Sequence, residues 1–382
     1  MPDPLRRREL RVLIFLSDTG RGHRSAAEAL CEQFKLSTND IECRMVDFFS
    51  EFRAPLLRMA PHFYQLLATN SIGVYNVLFS LSNSRLVSSI IATMLYRLIR
   101  KKLHEYMRAY QPHAVISVHP LYMSDILAKA RRECHSGYGV VTMVTDPVSP
   151  HASWACPAVD RCFVPTAHAG AVMEAYGVPR KVIRNTGFPI RRKFLESRTK
   201  ESRELRRELG LAEDRFTVLI TGGGNGAGHL EAIAVRVSSD IPSAQIIVLT
   251  GYNSALLARI RRRRIDTVTA LPFTDLMPLW LAASDVVVTK AGPGTLFEAA
   301  AVGRPVIVIE EVGFQERGNA RLAEELGFGY GCASEDAVIA RLRRLMEIPG
   351  RQEPERSLLS GARRAVKETL ALVDARMAVG VL

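Results

Sequence analysis

The chain has 382 residues, enough for two or three domains at roughly 100–200 residues each. Hydrophobic residues make up 47% and charged residues 24%, with 26 Gly and 19 Pro, which excludes disordered, collagen-like and low-complexity chains. Lys and Arg total 51 against 39 Asp and Glu, and the resulting +12 favours an anionic partner: nucleic acid, a phosphorylated ligand or an acidic membrane surface.

Arg11–Leu16 is a short apolar, β-branched run that reads as a strand. The loop Ser17-Asp18-Thr19-Gly20-Arg21-Gly22-His23 follows, and a helical pattern begins at Ser25, where Ser25-x-x-Glu28 is spaced as a capping box. Residues 48–110 are rich in Leu, Phe, Tyr, Met and Ile. Within them Leu86–Leu103 predicts a helix with an apolar body and a basic end. It is either a buried helix with cations at its C-terminal turn or a segment lying near a membrane surface. Ala114–Val118, Val140–Val144, Arg161–Val164 and Val182–Arg184 read as further strands. A domain boundary is expected at 188, after Gly187-Phe188, with a basic stretch Arg191–Arg207 beyond it. The α/β pattern then restarts with strands at Phe216–Ile220, Ile246–Leu249, Val268–Ala270, Asp285–Val288 and Val306–Ile309. The simplest fold is α/β: two doubly wound parallel-sheet domains facing a cleft, at 1–188 and 189–355. Ligands in such sheets bind at the carboxyl ends of the strands.

Four constellations sit at such strand ends. Lys290-Ala-Gly292-Pro293-Gly294-Thr295-Leu-Phe-Glu298 follows a strand and opens a helix, whose free N–H groups and partial positive charge suit a phosphate or diphosphate. Glu298, one turn in, suits a ribose diol, but Thr295-x-x-Glu298 is also the spacing of a capping box, and both readings stand. The Gly222–Gly228 loop lacks the Gly-Lys-Ser/Thr ending of a P-loop, which argues against ATP hydrolysis. Gly20-Arg21-Gly22-His23 offers a histidine suited to general-base work, or an ordinary structural one. Thr145-Asp146 with His151 and Trp154 is either an acceptor site or a turn with a packed indole. No metal site is expected: there is no Asp-x-Asp and no zinc-like spacing.

Cys31, Cys43, Cys134, Cys156, Cys162 and Cys332 form no CxxC pair, so reduced thiols are expected. Neither a signal-peptide core nor a membrane-spanning helix is apparent. Nucleic-acid binding is disfavoured, because basic residues do not interleave with aromatics.

Taken together, Ser17–Arg24, Ile116–Pro120, Thr145-Asp146 with His151 and Trp154, Gly187–Arg191, Gly222–Gly228, Thr289–Thr295 with Glu298, Gln315-Glu316 and Gly318-Asn319 resemble the monogalactosyldiacylglycerol synthase family. The match runs in order from about residue 11 to 332. The wider group includes the bacterial diacylglycerol glucosyltransferases. The resemblance implies a GT-B fold and inverting transfer of galactose or glucose from a UDP-sugar to 1,2-diacylglycerol, with no metal or cofactor. The alternatives are another lipid acceptor such as a polyprenyl lipid, a UDP-sugar epimerase, and a non-catalytic UDP-sugar-binding module.

The resemblance assigns donor binding to Gly223, Gly224, Asn225, Phe273, Thr274, Lys290, Gly292, Pro293, Gly294, Thr295, Glu298, Gln315, Glu316 and Asn319. It gives acceptor binding to Gly22, His119, His151 and Trp154. His23 is the candidate base, with Asp146 as the second candidate or the group that orients the first. It also implies a final helix within 356–382 crossing back to the first domain, contact of residues 48–100 with an anionic membrane surface, and a cytoplasmic, peripheral location on the cytosolic face of the cell membrane. Arg21 in the first loop and Asn225 in the glycine loop depart from common family patterns.

Overall fold

A computed structural model describes residues 9–17, 21–47, 51, 77, 79–348 and 353–380. Asp18, Thr19 and Gly20 of the first loop, and positions 48–50, 52–76 and 78 of the apolar stretch, lie outside the described residues. Two compact units divide the chain. The first gathers Met1–Thr19, His23–Arg191 and Ser357–Leu382, and the second Gly20–Gly22 and Arg192–Arg356.

The first unit holds β1 (Leu10–Leu16), β2 (Ile41–Asp47), β3 (Ala114–Ser117), β4 (Gly139–Met143), β5 (Arg161–Val164) and β6 (Ile183–Asn185). They form one sheet in the order β2-β1-β3-β4-β5-β6 with every pair parallel. Val12–Leu16 and all of β3 and β4 are buried, as expected of central strands covered on both faces. β2 is an edge strand whose only buried residues are Ile41 and Val46, so its sequence carries no continuous apolar run.

The helix after β1 spans Arg21–Ser37, one turn earlier than its sequence suggests. Ser25 therefore follows four helical residues, and the expected Ser25-x-x-Glu28 capping box does not form. The helix Arg85–Tyr110 buries Ser88, Ala92, Tyr96, Ile99, Leu103, Met107 and Tyr110, a single stripe at three- and four-residue spacing. No helix among the described residues is long and apolar enough to cross a membrane.

The C-terminal helix Gly361–Ala378 buries Ala362, Ala365, Val366, Leu372 and Val373 in the core of the first unit, among residues of β1, β3 and β4. Its entry is a close backbone approach. Phe188 N–H donates to the Leu358 carbonyl at 2.7 Å and Gly361 N–H to the Phe188 carbonyl at 3.2 Å. Gly187, at φ +88°, has no room for a Cβ against the Ser357 carbonyl. At the far end Arg376 Nη2 donates to Asp160 Oδ1 at 2.6 Å, while Asp160 Oδ2 accepts from Arg131 and from the Val140 N–H.

The second unit holds β7 (Thr217–Thr221), β8 (Gln245–Leu249), β9 (Val268–Leu271), β10 (Val286–Lys290), β11 (Val306–Glu310) and β12 (Gly329–Gly331), in the parallel order β12-β11-β10-β7-β8-β9. Each sheet reverses its winding once, between β1 and β3 in the first unit and between β7 and β10 in the second. Those are the switch points where loops part and ligands enter a doubly wound sheet.

Candidate active site

In the first unit, His23 follows β1, Val118-His119 follows β3, and Thr145-Asp146 follows β4, so adjacent strands deliver them to one place. His23 Nδ1 lies 2.8 Å from the Val118 carbonyl and 3.2 Å from Thr145 Oγ1. A carbonyl only accepts, so Nδ1 carries the proton, and Nε2 is the basic nitrogen. The His119 ring stands 4.3 Å from that of His23, and Trp154 stands 6.0 Å away. Burial lowers the His23 pKa from 6.5 to about 4, against the raising effect of the Val118 carbonyl. Burial, and then His23 itself, push His119 well below its usual value. The imidazoles are therefore neutral at pH 7, which leaves His23 Nε2 unprotonated, while burial makes it a weaker base than a solvated imidazole.

Trp154 is 1% exposed and its Nε1–H donates to Asp146 Oδ2 at 2.6 Å. The indole walls the back of the histidine pair and fixes the Asp146 carboxylate. His151 has a different set of partners. Its Nδ1 accepts from the Ser153 N–H at 3.1 Å, and its Nε2 lies 3.2 Å from both the Phe79 carbonyl and Ser82 Oγ. Together with Asn83 Oδ1, which accepts from the Ala152 N–H at 2.8 Å and the Tyr176 hydroxyl at 2.9 Å, it joins the segment ahead of the Arg85–Tyr110 helix to the Trp154 turn. Gly22 is exposed at the helix start, and a Cβ there would meet nothing within 4 Å. The Val118 carbonyl has no sequence signal, and Thr145 had one only as the neighbour of Asp146.

In the second unit, the helix Pro293–Val302 starts directly after β10, with Gly292 as its N-cap. Thr295 lies inside the helix, so it is not the cap residue and the capping-box reading of Thr295-x-x-Glu298 fails. The β10–β11 register shifts between Thr289 and Lys290, and such an irregularity re-aims a strand end. Lys290 Nζ donates to Glu316 Oε1, and Glu316 Oε2 accepts from the Val312 N–H at 2.9 Å. A Cβ on Gly292 would lie 3.1 Å from Lys290 Nζ, so the ammonium stands at the mouth of the helix. A cation, here paired with Glu316, and a helix N-terminus thus meet at one point. Gln315 sits beside Glu316 in the turn Phe314–Glu316. Asn319 is fully buried and donates to the Ala291 carbonyl at 2.9 Å, holding the loop from below.

The glycine loop follows β7. Gly223 and Gly226 take φ of +71° and +58°, and a Cβ on Gly226 would strike the Thr250 carbonyl. Gly224 passes its carbonyl to the Tyr252 N–H at 2.8 Å, leaving Asn225 exposed at the tip. Phe273 N–H donates to the Gly251 carbonyl at 2.8 Å, and its ring stacks on Tyr252 with centroids 4.6 Å apart and an 11° tilt. Thr274 Oγ1 accepts from the Leu276 N–H at 3.1 Å. Tyr252, absent from the sequence expectations, thus stacks on Phe273, and the Arg21 guanidinium carbon stands over the same ring 4.6 Å from its centroid.

Comparison with known proteins follows the same division. The family model of monogalactosyldiacylglycerol (MGDG) synthase matches residues 23–190, beginning at His23, and that of the glycosyltransferase family 28 C-terminal domain matches residues 217–368. Monogalactosyldiacylglycerol synthase 3, chloroplastic, of Arabidopsis thaliana is 30% identical over 329 residues, covering 83% of this chain and 70% of the relative. Among solved structures, the UDP-GlcNAc 2-epimerase from Neisseria meningitidis aligns with a TM-score of 0.61 at 14% identity, over 95% of this chain and 100% of that one. MurG of Acinetobacter baumannii aligns at 0.53 and 15% identity, over 97% and 99%. At these identities the structures speak to fold alone, and they bear out the expected GT-B-like α/β class. One expectation is corrected: the relative is named as a chloroplastic protein, which overturns the placement on the cytosolic face of a cell membrane. That placement came from the family resemblance alone.

Proposed function

The chain belongs to the monogalactosyldiacylglycerol synthase family of glycosyltransferases, and from that premise we propose that it transfers galactose from UDP-galactose to the free hydroxyl of 1,2-diacylglycerol, with inversion at the anomeric carbon. The name of the Arabidopsis relative supports galactose and the diacylglycerol acceptor. One observation of this chain carries the mechanism: His23 is held neutral with Nδ1–H on the Val118 carbonyl, which leaves Nε2 as the base. Nε2 takes the hydroxyl proton as the acceptor oxygen attacks the anomeric carbon and the bond to the diphosphate breaks. Asp146, through Trp154, and His119 are positioning residues for that base.

The departing UDP gathers negative charge, which the N-terminus of the helix Pro293–Val302 and the Lys290 ammonium are suited to stabilise. In this reading Lys290 turns from Glu316 toward the diphosphate, and freed Glu316, with Gln315, meets the sugar hydroxyls. Glu298 holds the ribose, and Phe273, Thr274 and Tyr252 flank the uracil. Gly223, Gly224 and Asn225 approach the donor from the glycine loop.

The acceptor comes from a bilayer, and the outer face of the Arg85–Tyr110 helix suits one. Leu86, Ile90, Met94 and Leu98 are 52–72% exposed at four-residue spacing, a ridge of about 18 Å. Beyond them Arg97, Arg100, Lys101, Lys102 and Arg108 are exposed with only Glu105 among them. An apolar ridge continued by cations fits an anionic lipid surface. The test is product formation from diacylglycerol vesicles with UDP-galactose and UDP-glucose offered separately. Galactolipid from the first supports the proposal, and product from UDP-glucose alone rejects the donor assignment.

A further inference from the structure

Cys31 and Cys43 stand apart from the site just described. Cys31 lies in the helix Arg21–Ser37, two turns beyond His23, and Cys43 is the third residue of the edge strand β2. Their Sγ atoms are 2.6 Å apart, and Cys31 Sγ is 3.6 Å from the Cys43 carbonyl. That separation is well inside the contact distance of two unbonded sulfurs and close to the ~2.05 Å of a disulfide. Both are free thiols here. Cys31 is 8% exposed and packed among the core residues of the first unit, whereas Cys43 is half-buried on the sheet edge, so a reagent reaches the pair through Cys43.

The other buried thiols behave differently. Burial raises the pKa of Cys156 and pushes Cys162 up to about 12, which keeps them protonated and inert. In the pair, the hydrogen bond between them lowers Cys31 and raises Cys43, so Cys31 is the more acidic of the two thiols.

We propose that Cys31 and Cys43 form an oxidisable dithiol site that reacts with low-molecular-weight disulfides and closes to a disulfide between the His23-bearing helix and strand β2. The oxidant is a small disulfide such as oxidised glutathione. Cys43 Sγ attacks one of its sulfurs, and the Cys43 proton goes to the first glutathione sulfur as it departs, leaving a mixed disulfide on Cys43. Cys31 Sγ then attacks Cys43 Sγ, and the Cys31 proton goes to the second glutathione sulfur as the mixed bond breaks. Two protein thiols are oxidised to one disulfide, and one glutathione disulfide is reduced to two thiols. Sugar transfer plays no part in this inference, so the two stand or fall separately.

The test incubates the folded full-length protein with excess oxidised glutathione and then maps peptides by mass after alkylation. The expected result is a Cys31–Cys43 linked peptide, the loss of two hydrogens, reversal by dithiothreitol, and a thermal midpoint raised by roughly 5 °C or more from closing a short loop. Cys31→Ser should stall at a glutathione adduct on Cys43, and Cys43→Ser should leave Cys31 unmodified. If wild-type protein keeps both thiols open to alkylation, or stops at a stable glutathione adduct, the proposal is wrong. The wild-type mapping decides this even where a serine variant fails to fold.

Discussion

His23 concentrates the chemistry into one side chain whose tautomer is set by a backbone carbonyl. Replacing it with alanine removes the base and leaves the nucleotide half untouched. His23→Ala is expected to lower kcat by about 100-fold or more, with UDP affinity by calorimetry unchanged within about twofold. Retention of a tenth of the turnover would move the base role elsewhere, with Asp146 next in line. The lowered pKa gives a second, independent expectation. Above about pH 4 the folded imidazole is neutral, so the acid limb of kcat/KM should fall near pH 4 rather than near 6.5. The unfolded chain binds that proton at 6.5 and the folded one only near 4. This group therefore takes up protons on unfolding between those values, and its contribution to stability is lost as pH falls from about 6.5 to about 4. Denaturant titrations of wild type and His23→Gln across that window separate the two, since the variant should lose part of the pH slope.

At the scale of elements, the Lys290–Glu316 pair links β10 to the turn before the Asn319–Glu325 helix, and it is where packing and ligand binding compete. Lys290→Met leaves the Glu316 carboxylate buried without its cation, so it should both unfold earlier and bind UDP about tenfold more weakly. Lys290→Met with Glu316→Gln should recover the stability but not the affinity. If the double variant regains UDP binding, Lys290 is a structural cation only. The lipid ridge is a clean test of another kind, because its residues are exposed. Ile90→Asn with Met94→Asn should leave the thermal midpoint within a degree or two and sharply reduce sedimentation with anionic vesicles; unchanged sedimentation would place the membrane contact elsewhere.

Legibility follows from the same elements. Central strands such as β1 and β7 announce themselves because both faces are apolar. β2 and β12 do not, since one is a half-exposed edge and the other is Gly329-Tyr330-Gly331. The histidine and glycine loops could be found as strand-end motifs. The Val118 carbonyl that fixes the His23 tautomer could not, because backbone groups leave no mark in a sequence. The two readings of Thr295-x-x-Glu298 stayed open for a related reason: the helix starts at Pro293, and spacing alone does not say where a helix begins.

For the whole molecule, the first unit depends on a segment from the far end of the chain. Asp160 collects Arg131, Arg376 and the Val140 N–H, and so ties β4 and the helix Met123–Glu133 to the helix Gly361–Ala378. Asp160→Ala leaves two arginines without their shared carboxylate, and the expected cost is about 3 kcal/mol, read as a lower denaturant midpoint in the first unit. A loss under about 0.5 kcal/mol would show that the helix is held by its apolar face alone. The central claim, hexose transfer to diacylglycerol, is tested most directly by incubating wild type and His23→Ala with labelled UDP-galactose and diacylglycerol vesicles and separating the lipids. The account predicts a labelled galactolipid with wild type and almost none with the variant at intact UDP binding. Wild-type protein that binds UDP yet forms no labelled lipid would contradict it.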